Sequence, residues 1–110
     1  MKKNKIIVTG GAGFVGTNLI KLFLKMTKLK IISIDNYSSG SKKNHVKNKR
    51  VKYIKADINE TDLLLKSLDG IDIICHCASL LDSKPFTKDQ YFTSNIKGTQ
   101  NLYNSAKKKE

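Results

Sequence analysis

The sequence is poor in the residues that mark secreted, fibrous and membrane proteins. Its 110 residues include two cysteines, one proline, one arginine and no tryptophan. So few cysteines exclude a small scaffold held together by disulfides. The first apolar run stops at glycines after about four residues, which is too short for a signal peptide or a membrane span. We therefore expect a cytoplasmic protein of one domain, large enough to bury a real core and with no membrane partner.

Lysine accounts for nearly all of the excess positive charge. The formal net charge is +12, and Arg50 is the single arginine. Nucleic-acid binders that read bases rely on arginine for bidentate contacts, so this excess suits nonspecific binding at most. Residues 42–55 are the most basic segment, with seven basic residues and no acidic one. We interpret them as mainly solvated surface, and a nucleic-acid-binding domain stays the weakest of the functional alternatives.

Cys75 and Cys77 flank His76 in an apolar run that predicts a strand. Side chains alternate along a strand, so both thiols would face one side of the sheet and the imidazole the other. The three groups would then fail to converge on one ion. We expect a buried, reduced pair and no metal site.

The residues from Ile6 to Gly16 predict a buried strand, a glycine turn and the start of a helix. The turn fits G-x-x-G-x-x-G from Gly10 and G-x-G-x-x-G from Gly11. One glycine would let the chain turn sharply, one would let the backbone approach a phosphate, and one would let the helix pack close to the sheet. The free N–H groups at the helix start would then face an anion. A pyrophosphate fits this arrangement.

Two neighbouring features support a dinucleotide site. A helix from Gly13 to about Lys28 follows the turn, and its predicted core side comprises Val15, Leu19, Leu22, Phe23 and Met26. A second strand, Ile31 to Ile34, ends in Asp35, about 20 residues beyond the last glycine, where a carboxylate would bind the adenosine ribose. A P-loop is excluded because Thr17-Asn18 stand where that motif needs Lys-Ser/Thr.

Charge decides which dinucleotide we expect. Cations in residues 42–55 would suit the ribose 2′-phosphate of NADP. Asp35 opposes that choice, because its carboxylate would face the phosphate with like charge. We expect NAD, with NADP as the alternative. The polar stretch from Asn36 to Ser41 would wrap the adenosine end of the cofactor.

The middle of the chain predicts one more strand and one more helix. Val51 to Lys55 has lysines among its apolar residues, which is typical of a short edge strand. A helix beginning near residues 59–61 follows, with a predicted core side of Leu63, Leu64, Leu65 and Leu68. Asp69-Gly70 predicts a turn after this helix.

The last third predicts a strand and a long helix. Ile71 to Cys77 is continuously apolar, and Pro85 falls in the loop after it. The helix spans about Lys88 to Lys107, with core positions Phe92, Ile96, Thr99, Leu102, Tyr103 and Ala106.

Together these elements predict an α/β fold of the Rossmann type. Right-handed crossovers arrange the strands as a parallel sheet of order 3-2-1-4 with helices on both faces, the first half of a doubly wound fold. The carboxyl ends of strands one and four would share a crevice. The fourth strand would be an unpaired apolar edge through which chains self-associate.

Five segments, in order and at suitable intervals, resemble the extended short-chain dehydrogenase/reductases, in particular the NAD-dependent nucleotide-sugar epimerases and dehydratases. They are Thr9–Gly16, Asp35–Gly40, Lys55–Ile58, Ile74–Ser79 and Asn95–Leu102. The resemblance covers essentially the whole chain. It implies that NAD is bound by Gly10, Gly13, Phe14, Val15, Gly16, Asp35, Asn36, Ser38, Gly40, Asp57, Ile58, Cys77, Ala78, Ser79 and Asn95.

Local chemistry offers other roles for several residues in these segments. Asp57 would equally cap the helix that begins after it. Asn95 and Thr99 would equally be ordinary polar positions on an exposed helix face. Gly98 inside a helix costs about 1 kcal/mol relative to alanine, which indicates close packing against a neighbour.

The resemblance also implies a reaction: transient oxidation of a sugar hydroxyl by hydride transfer to NAD, followed by epimerisation, elimination or decarboxylation. In that family a Tyr-x-x-x-Lys pair takes the hydroxyl proton, because the lysine charge lowers the phenol pKa. Tyr103 and Lys107 fit this spacing. They follow strand four directly, however, whereas the family's pair comes after a fifth strand. We interpret them as a chance match.

Residues 1–110 are therefore expected to be the NAD(P)-binding N-terminal part of such an enzyme, without its catalytic pair and its nucleotide-sugar lobe. The chain alone would bind the cofactor and turn over no nucleotide sugar. The alternative from another functional class is a non-catalytic module that senses a dinucleotide for a partner.

Overall fold

The computed structural model describes residues 4–80 and 86–109, so the predicted loop position of Pro85 lies outside the described residues. The strands are β1 (Lys5–Thr9), β2 (Lys30–Asp35), β3 (Val51–Lys55) and β4 (Ile73–His76). The α-helices are α1 (Phe14–Met26), α2 (Thr61–Ser67), α3 (Lys88–Tyr91) and α4 (Gly98–Lys108). A 3-10 turn covers Lys42–Asn44, and a π-helical segment, Phe92–Lys97, joins α3 to α4. None of the helices in the described ranges is both long and apolar enough to cross a bilayer.

The four strands form one parallel sheet in the order β3-β2-β1-β4, as predicted. Ile6 on the central strand β1 lies opposite Ile31 on β2 and Ile73 on β4. The carboxyl ends of β1 and β4 therefore open into one crevice. β3 and β4 are the two edges of the sheet. Self-association through β4 stays a prediction.

Successive side chains of β1 enter two different apolar cores. On one face of the sheet Ile6 packs with Ile20 of α1. On the other face Ile7 joins Leu64 of α2 and Leu102 of α4. Helices thus cover both faces, which is the predicted layer arrangement.

The cysteines follow the predicted alternation. Cys75 and Cys77 both pack beside the core that contains Ile6, whereas His76 bonds to Thr99 on the opposite face. Both thiols are free and half-buried rather than fully buried. Desolvation raises the pKa of each thiol. Within residues 4–80 and 86–109 no three His, Cys, Asp or Glu side chains are grouped to hold a metal.

The predicted core side of α1 is mostly wrong, although Phe23 packs against the core that contains Ile6, as predicted. Val15 is 63% exposed and Met26 is 69% exposed, and the buried residues are instead Gly16, Thr17 and Ile20. The glycine turn explains the difference, because a Cβ on Gly16 would lie 2.2 Å from the Gly10 carbonyl oxygen. This close approach fixes the rotation of the helix, so Val15, Leu22 and Met26 of the predicted apolar stripe turn outward.

The predicted core sides of the later helices are also partly wrong. Phe92, Ile96 and Tyr103 are exposed, whereas Leu102 is buried as predicted. α4 also buries Gly98 and Ser105, which were not among the predicted core positions. A Cβ on Gly98 would lie 2.6 Å from Cδ1 of Ile58, so the predicted close packing of this glycine is confirmed. Leu64 of α2 and Leu68, directly after it, are buried as predicted, whereas Leu63 is exposed.

Arg50 has a structural role that the sequence did not reveal. Its Nη1 donates to the carbonyl oxygens of Thr27 and Leu29 at 2.7 and 3.1 Å. Its Nη2 donates to the Leu24 carbonyl oxygen at 2.6 Å. A cation is favourable at a helix C-terminus, where carbonyl groups lack partners within the helix. Part of the basic segment therefore stabilises the end of α1.

Candidate functional site

A cleft lies at the carboxyl ends of the parallel strands. The turn before α1, the loop after β2 and the segment after β4 form its walls. Fourteen of the residues expected to bind NAD line it, together with Ile34, Ser39, Ala56 and Ser94, which were not among the named binding residues. The expected residues are Gly10, Gly13, Phe14, Val15, Gly16, Asp35, Asn36, Ser38, Gly40, Asp57, Ile58, Cys77, Ala78 and Ser79. Their contact with a cofactor stays a prediction.

The glycine turn is closely packed against its neighbours. Gly10 has φ +69°, and a Cβ there would lie 2.9 Å from the Ala78 backbone. A Cβ on Gly11 would lie 2.0 Å from the Ser33 hydroxyl oxygen. Gly13 differs, because its Cβ would meet only the Gly10 carbonyl oxygen, at 3.4 Å. The turn therefore presents bare backbone to the cleft at Gly13.

The N-terminus of α1 opens into the same cleft. Gly13 is its N-cap and forms no side-chain capping bond, and its first turn, beginning at Phe14, contains no acidic residue. Uncapped N–H groups and the positive end of a helix dipole favour an anion. This end of the cleft is thus suited to a phosphate group.

The Asp35 carboxylate lies beside the turn. Its Oδ2 accepts a hydrogen bond from the Ala12 N–H at 2.9 Å, and its Oδ1 accepts one from the Tyr37 N–H at 2.8 Å. A Cβ on Gly40 would lie 2.8 Å from Oδ2, so a glycine is required where the loop passes the acid. Each carboxylate oxygen can accept a further bond from a hydroxyl donor.

The loop after β2 is held by an aromatic cluster that the sequence did not indicate. Tyr37 has φ +62°, which is uncommon for a residue other than glycine. Its hydroxyl lies 2.6 Å from Nε2 of His45, whose ring stacks on Tyr53 at 3.7 Å. Desolvation and, secondly, the Asp35 charge raise the pKa of Tyr37. These three aromatic residues, eight positions apart in sequence, match no known motif. The sequence therefore did not indicate their contact, which depends on the path of the chain between β2 and β3.

Asp57 does not cap α2. The N-cap of that helix is Glu60, without a side-chain capping bond. The Asp57 carboxylate instead accepts a hydrogen bond from the Asn59 N–H at 2.9 Å, and its own N–H donates to Oε1 of Glu60 at 3.0 Å. These bonds hold a tight turn in the cleft wall next to Ile58.

Asn95 does not line the cleft, and its expected contact with a cofactor stays a prediction. Its Oδ1 accepts a hydrogen bond from the Leu80 N–H at 2.7 Å, and its Nδ2 donates to the Leu80 carbonyl oxygen at 3.0 Å. The neighbouring Ser94 faces the cleft instead. Asn95 is therefore not an ordinary polar residue on an exposed helix face. Its side chain links the segment after β4 to the π-helical segment before α4.

Tyr103 and Lys107 lie away from the cleft. Tyr103 is 55% exposed on α4, not on its buried side, and Lys107 Nζ lies 5.9 Å from the centre of its ring. Neither residue lines the cleft. Their position agrees with a chance match to the Tyr-x-x-x-Lys spacing.

Comparison with known protein sequences covers nearly the whole chain. The profile of the 3-beta hydroxysteroid dehydrogenase/isomerase family matches residues 7–110. A 3 beta-hydroxysteroid dehydrogenase/Delta 5-->4-isomerase of Monkeypox virus is 33% identical over 96 residues, which is 86% of this chain and 28% of the relative. The viral protein is thus similar to this chain along about a quarter of its own length.

Solved structures give the same fold. The dTDP-glucose 4,6-dehydratase DesIV of Streptomyces venezuelae, with NAD bound, is 27% identical with a TM-score of 0.88, covering 96% of this chain and 36% of that one. The Bordetella bronchiseptica enzyme WbmG, in complex with NAD, is 25% identical with a TM-score of 0.87, covering 98% of this chain and 35% of that one. The chain spans about a third of the length of these enzymes.

Proposed function

The chain belongs to the 3-beta hydroxysteroid dehydrogenase/isomerase family, within the extended short-chain dehydrogenase/reductases that include the NAD-dependent epimerases and dehydratases, and we propose that it is the NAD-binding part of such an oxidoreductase. One observation carries this proposal. A bare glycine turn and an uncapped helix N-terminus open beside the carboxylate of Asp35, in a single cleft. Phosphate and ribose hydroxyls are the groups that these two features favour.

Each wall of the cleft has a proposed role in holding the dinucleotide. The backbone from Gly13 to Gly16 binds the pyrophosphate, and Asp35 accepts hydrogen bonds from the adenosine ribose. Asp57 and Ile58 contact the adenine. The segment Cys77–Ser79 lies beside the nicotinamide. These assignments divide the cleft along its length, with the glycine turn in the middle.

NAD is the proposed cofactor, in preference to NADP. Asp35 is 8% exposed, and its carboxylate already accepts two backbone N–H bonds, so it is held in place at the proposed ribose site. A 2′-phosphate there would meet a fixed negative charge. The cation of Arg50 is engaged at the end of α1 and does not line the cleft.

The proposed chemistry is oxidation of a secondary alcohol. Bound NAD supplies a hydride acceptor, and the residues of this chain bind and orient it. The described residues that line the cleft include no tyrosine or lysine to take the hydroxyl proton. We therefore propose that this chain alone binds the cofactor without turning over an alcohol.

A nucleotide-sugar hydroxyl is the proposed substrate group, on the strength of the similarity to DesIV. A hydroxysteroid is the second candidate, because the matching family and the Monkeypox virus relative are both named for 3 beta-hydroxysteroid dehydrogenase activity. Both substrates are secondary alcohols that would lose a hydride. The two candidates therefore share the cofactor cleft and differ in the residues that would surround the alcohol.

Isothermal titration calorimetry of the chain with NAD and with NADP tests this proposal. We expect saturable binding of NAD with one site per chain, and at least about tenfold weaker binding of NADP, since one unfavourable charge contact costs on the order of 1.4 kcal/mol. A chain that binds neither dinucleotide, or that prefers NADP, would overturn the proposal.

A further inference from the structure

A chain of hydrogen bonds crosses from β1 through β4 to the last helix. The Thr9 hydroxyl oxygen lies 2.6 Å from Nδ1 of His76. Nε2 of the same ring lies 2.8 Å from the Thr99 hydroxyl oxygen. The Thr99 hydroxyl in turn donates to the Asn95 carbonyl oxygen at 2.8 Å. Four residues from three separate parts of the sequence are thus linked in a continuous row.

Counting donors and acceptors fixes the proton positions in this row. The Thr9 hydroxyl oxygen accepts from the backbone N–H groups of Cys77 and Ala78, at 3.0 and 3.1 Å, which occupies both of its lone pairs. Its own proton must therefore point to Nδ1 of His76, so Nδ1 is the acceptor and Nε2 carries the ring proton. Nε2 then donates to Thr99, whose proton is used by Asn95. Every donor in the row has an acceptor only when the imidazole is neutral in this one tautomer.

These hydrogen bonds hold the segment after β4, which forms part of the cleft wall. The Thr9 side chain is fully buried. Its hydroxyl oxygen accepts a hydrogen bond from the Ala78 N–H. The Cys77 N–H donates both to this hydroxyl oxygen and to the Thr9 carbonyl oxygen. A Cβ on Gly10 would lie 2.9 Å from Ala78. The wall and the glycine turn are therefore in contact where the Thr9 hydroxyl fixes the wall.

We propose that His76 is a positioning residue for the cofactor cleft: its neutral Nε2–H tautomer directs the Thr9 hydroxyl, which holds the Cys77 and Ala78 backbone against the glycine turn. His76 does not line the cleft itself and acts through Thr9. Partial burial also lowers the pKa of His76, which favours the same neutral ring. The consequence for NAD affinity rests on the proposed function, whereas the tautomer and the fixed backbone do not.

Four variants separate this role from a general loss of packing. Thr9→Val removes the hydroxyl at nearly constant volume, and Thr9→Ser keeps it. His76→Leu keeps a bulky side chain at this position but removes the acceptor. His76→Asn places an amide oxygen near the position of Nδ1, so the Thr9 hydroxyl keeps its acceptor.

The first readout is the ¹⁵N spectrum of the imidazoles at neutral pH. The chain has two histidines, so His76→Asn identifies the His76 signals by their loss. We expect the His76 signals to show an unprotonated Nδ1 and a protonated Nε2. A ring that is charged at neutral pH, or that carries its proton on Nδ1, would overturn the proposal.

The second readout is hydrogen exchange of the Ala78 amide, followed by NAD affinity. Thr9→Val and His76→Leu should speed the exchange and weaken NAD binding by about tenfold, the value of one hydrogen bond in a partly buried site. Thr9→Ser and His76→Asn should stay close to wild type. Equal behaviour of all four variants would overturn the proposal. If wild type binds no NAD, the proposed function fails, and the imidazole spectrum and amide exchange still decide the role of His76.

Discussion

Oδ2 of Asp35 accepts a hydrogen bond from the Ala12 N–H at 2.9 Å, which ties the acid after β2 to the glycine turn after β1. The same carboxylate holds the Tyr37 N–H with its other oxygen. The residue proposed to select the cofactor is therefore also part of the framework of the cleft. Its substitution should affect both stability and binding.

Asp35→Asn should lower stability and weaken NAD binding. An amide has one oxygen, so one of the two backbone N–H groups would lose its acceptor and face an NH₂ group. Such a loss costs about 1–3 kcal/mol in a buried site. Thermal unfolding measures this cost, and titration with both dinucleotides shows whether the preference for NAD over NADP shrinks. An unchanged melting temperature together with an unchanged preference would contradict both roles of Asp35.

Two glycines of the turn should respond differently to alanine. Gly16→Ala places a Cβ 2.2 Å from the Gly10 carbonyl oxygen, and since that atom is backbone, the helix has to move. We expect a loss of several kcal/mol, on the scale of overpacking a tight core. Circular dichroism during heating would detect it.

Gly13→Ala is the matched variant. Its Cβ would meet only the Gly10 carbonyl oxygen at 3.4 Å, and its backbone conformation is open to alanine. The melting temperature should change little, whereas a methyl group on the phosphate side of the turn should weaken NAD binding by at least about tenfold. Wild-type affinity in a folded Gly13→Ala protein would place the phosphates elsewhere.

Arg50→Met should destabilise the chain more than Lys49→Met does. The guanidinium of Arg50 donates to three carbonyl oxygens near the end of α1, whereas Lys49 is exposed. Hydrogen bonds from a charged group contribute about 1.5–3 kcal/mol, and surface substitutions usually stay within about 0.5 kcal/mol. Arg50→Lys should not restore stability, because a single ammonium group lacks the planar fork. Chemical denaturation of the three variants provides the comparison.

Stability should depend on pH through His76. Partial burial lowers the pKa of His76 in the folded chain, so the unfolded chain binds a proton more readily. The contribution of His76 to the free energy of unfolding should therefore be constant above the ordinary histidine pKa of about 6.5 and fall as the pH drops below it toward the lowered value. His76→Asn should remove this part of the decline. A wild-type curve that matches the His76→Asn curve between neutral and mildly acidic pH would contradict it.

The elements at the beginning of the chain were predictable, because local sequence patterns indicate the strand, the turn, the helix, the second strand and the acid. The glycines from Gly10 to Gly16 and the acid at Asp35 each require a particular backbone position, and the parallel sheet follows from right-handed crossovers. The lining of the cleft by the segments after β2, β3 and β4 follows from the same sheet order.

The rotation of α1 and α4 was only partly predictable from periodicity. Val15 and Met26 are as apolar as the buried Ile20, so the pattern alone does not say which face packs on the sheet. The close approach at Gly16 and at Gly98 decides it, and that requires knowledge of the partner atoms. A rule that places the glycines of a helix toward the sheet would have found the buried faces.

The polar links across the sheet were hidden for a different reason. Thr9 and His76 are 67 residues apart, and Leu80 and Asn95 belong to different elements. Neither pair forms a motif along the chain, since their meeting depends on the register of β1 and β4. The resemblance to a known family marked Asn95 without indicating that its partner is backbone.

Titration of the ¹⁵N-labelled chain with NAD, followed by backbone amide chemical shifts, tests most directly whether the glycine turn and Asp35 form a dinucleotide site. Saturable shifts should concentrate in Gly10–Gly16, Asp35–Gly40 and Cys77–Ser79, and the exposed side of α4 around Tyr103 should stay unchanged. Shifts confined to the basic residues 42–50, or no shifts at millimolar NAD in the folded chain, would contradict the proposed site.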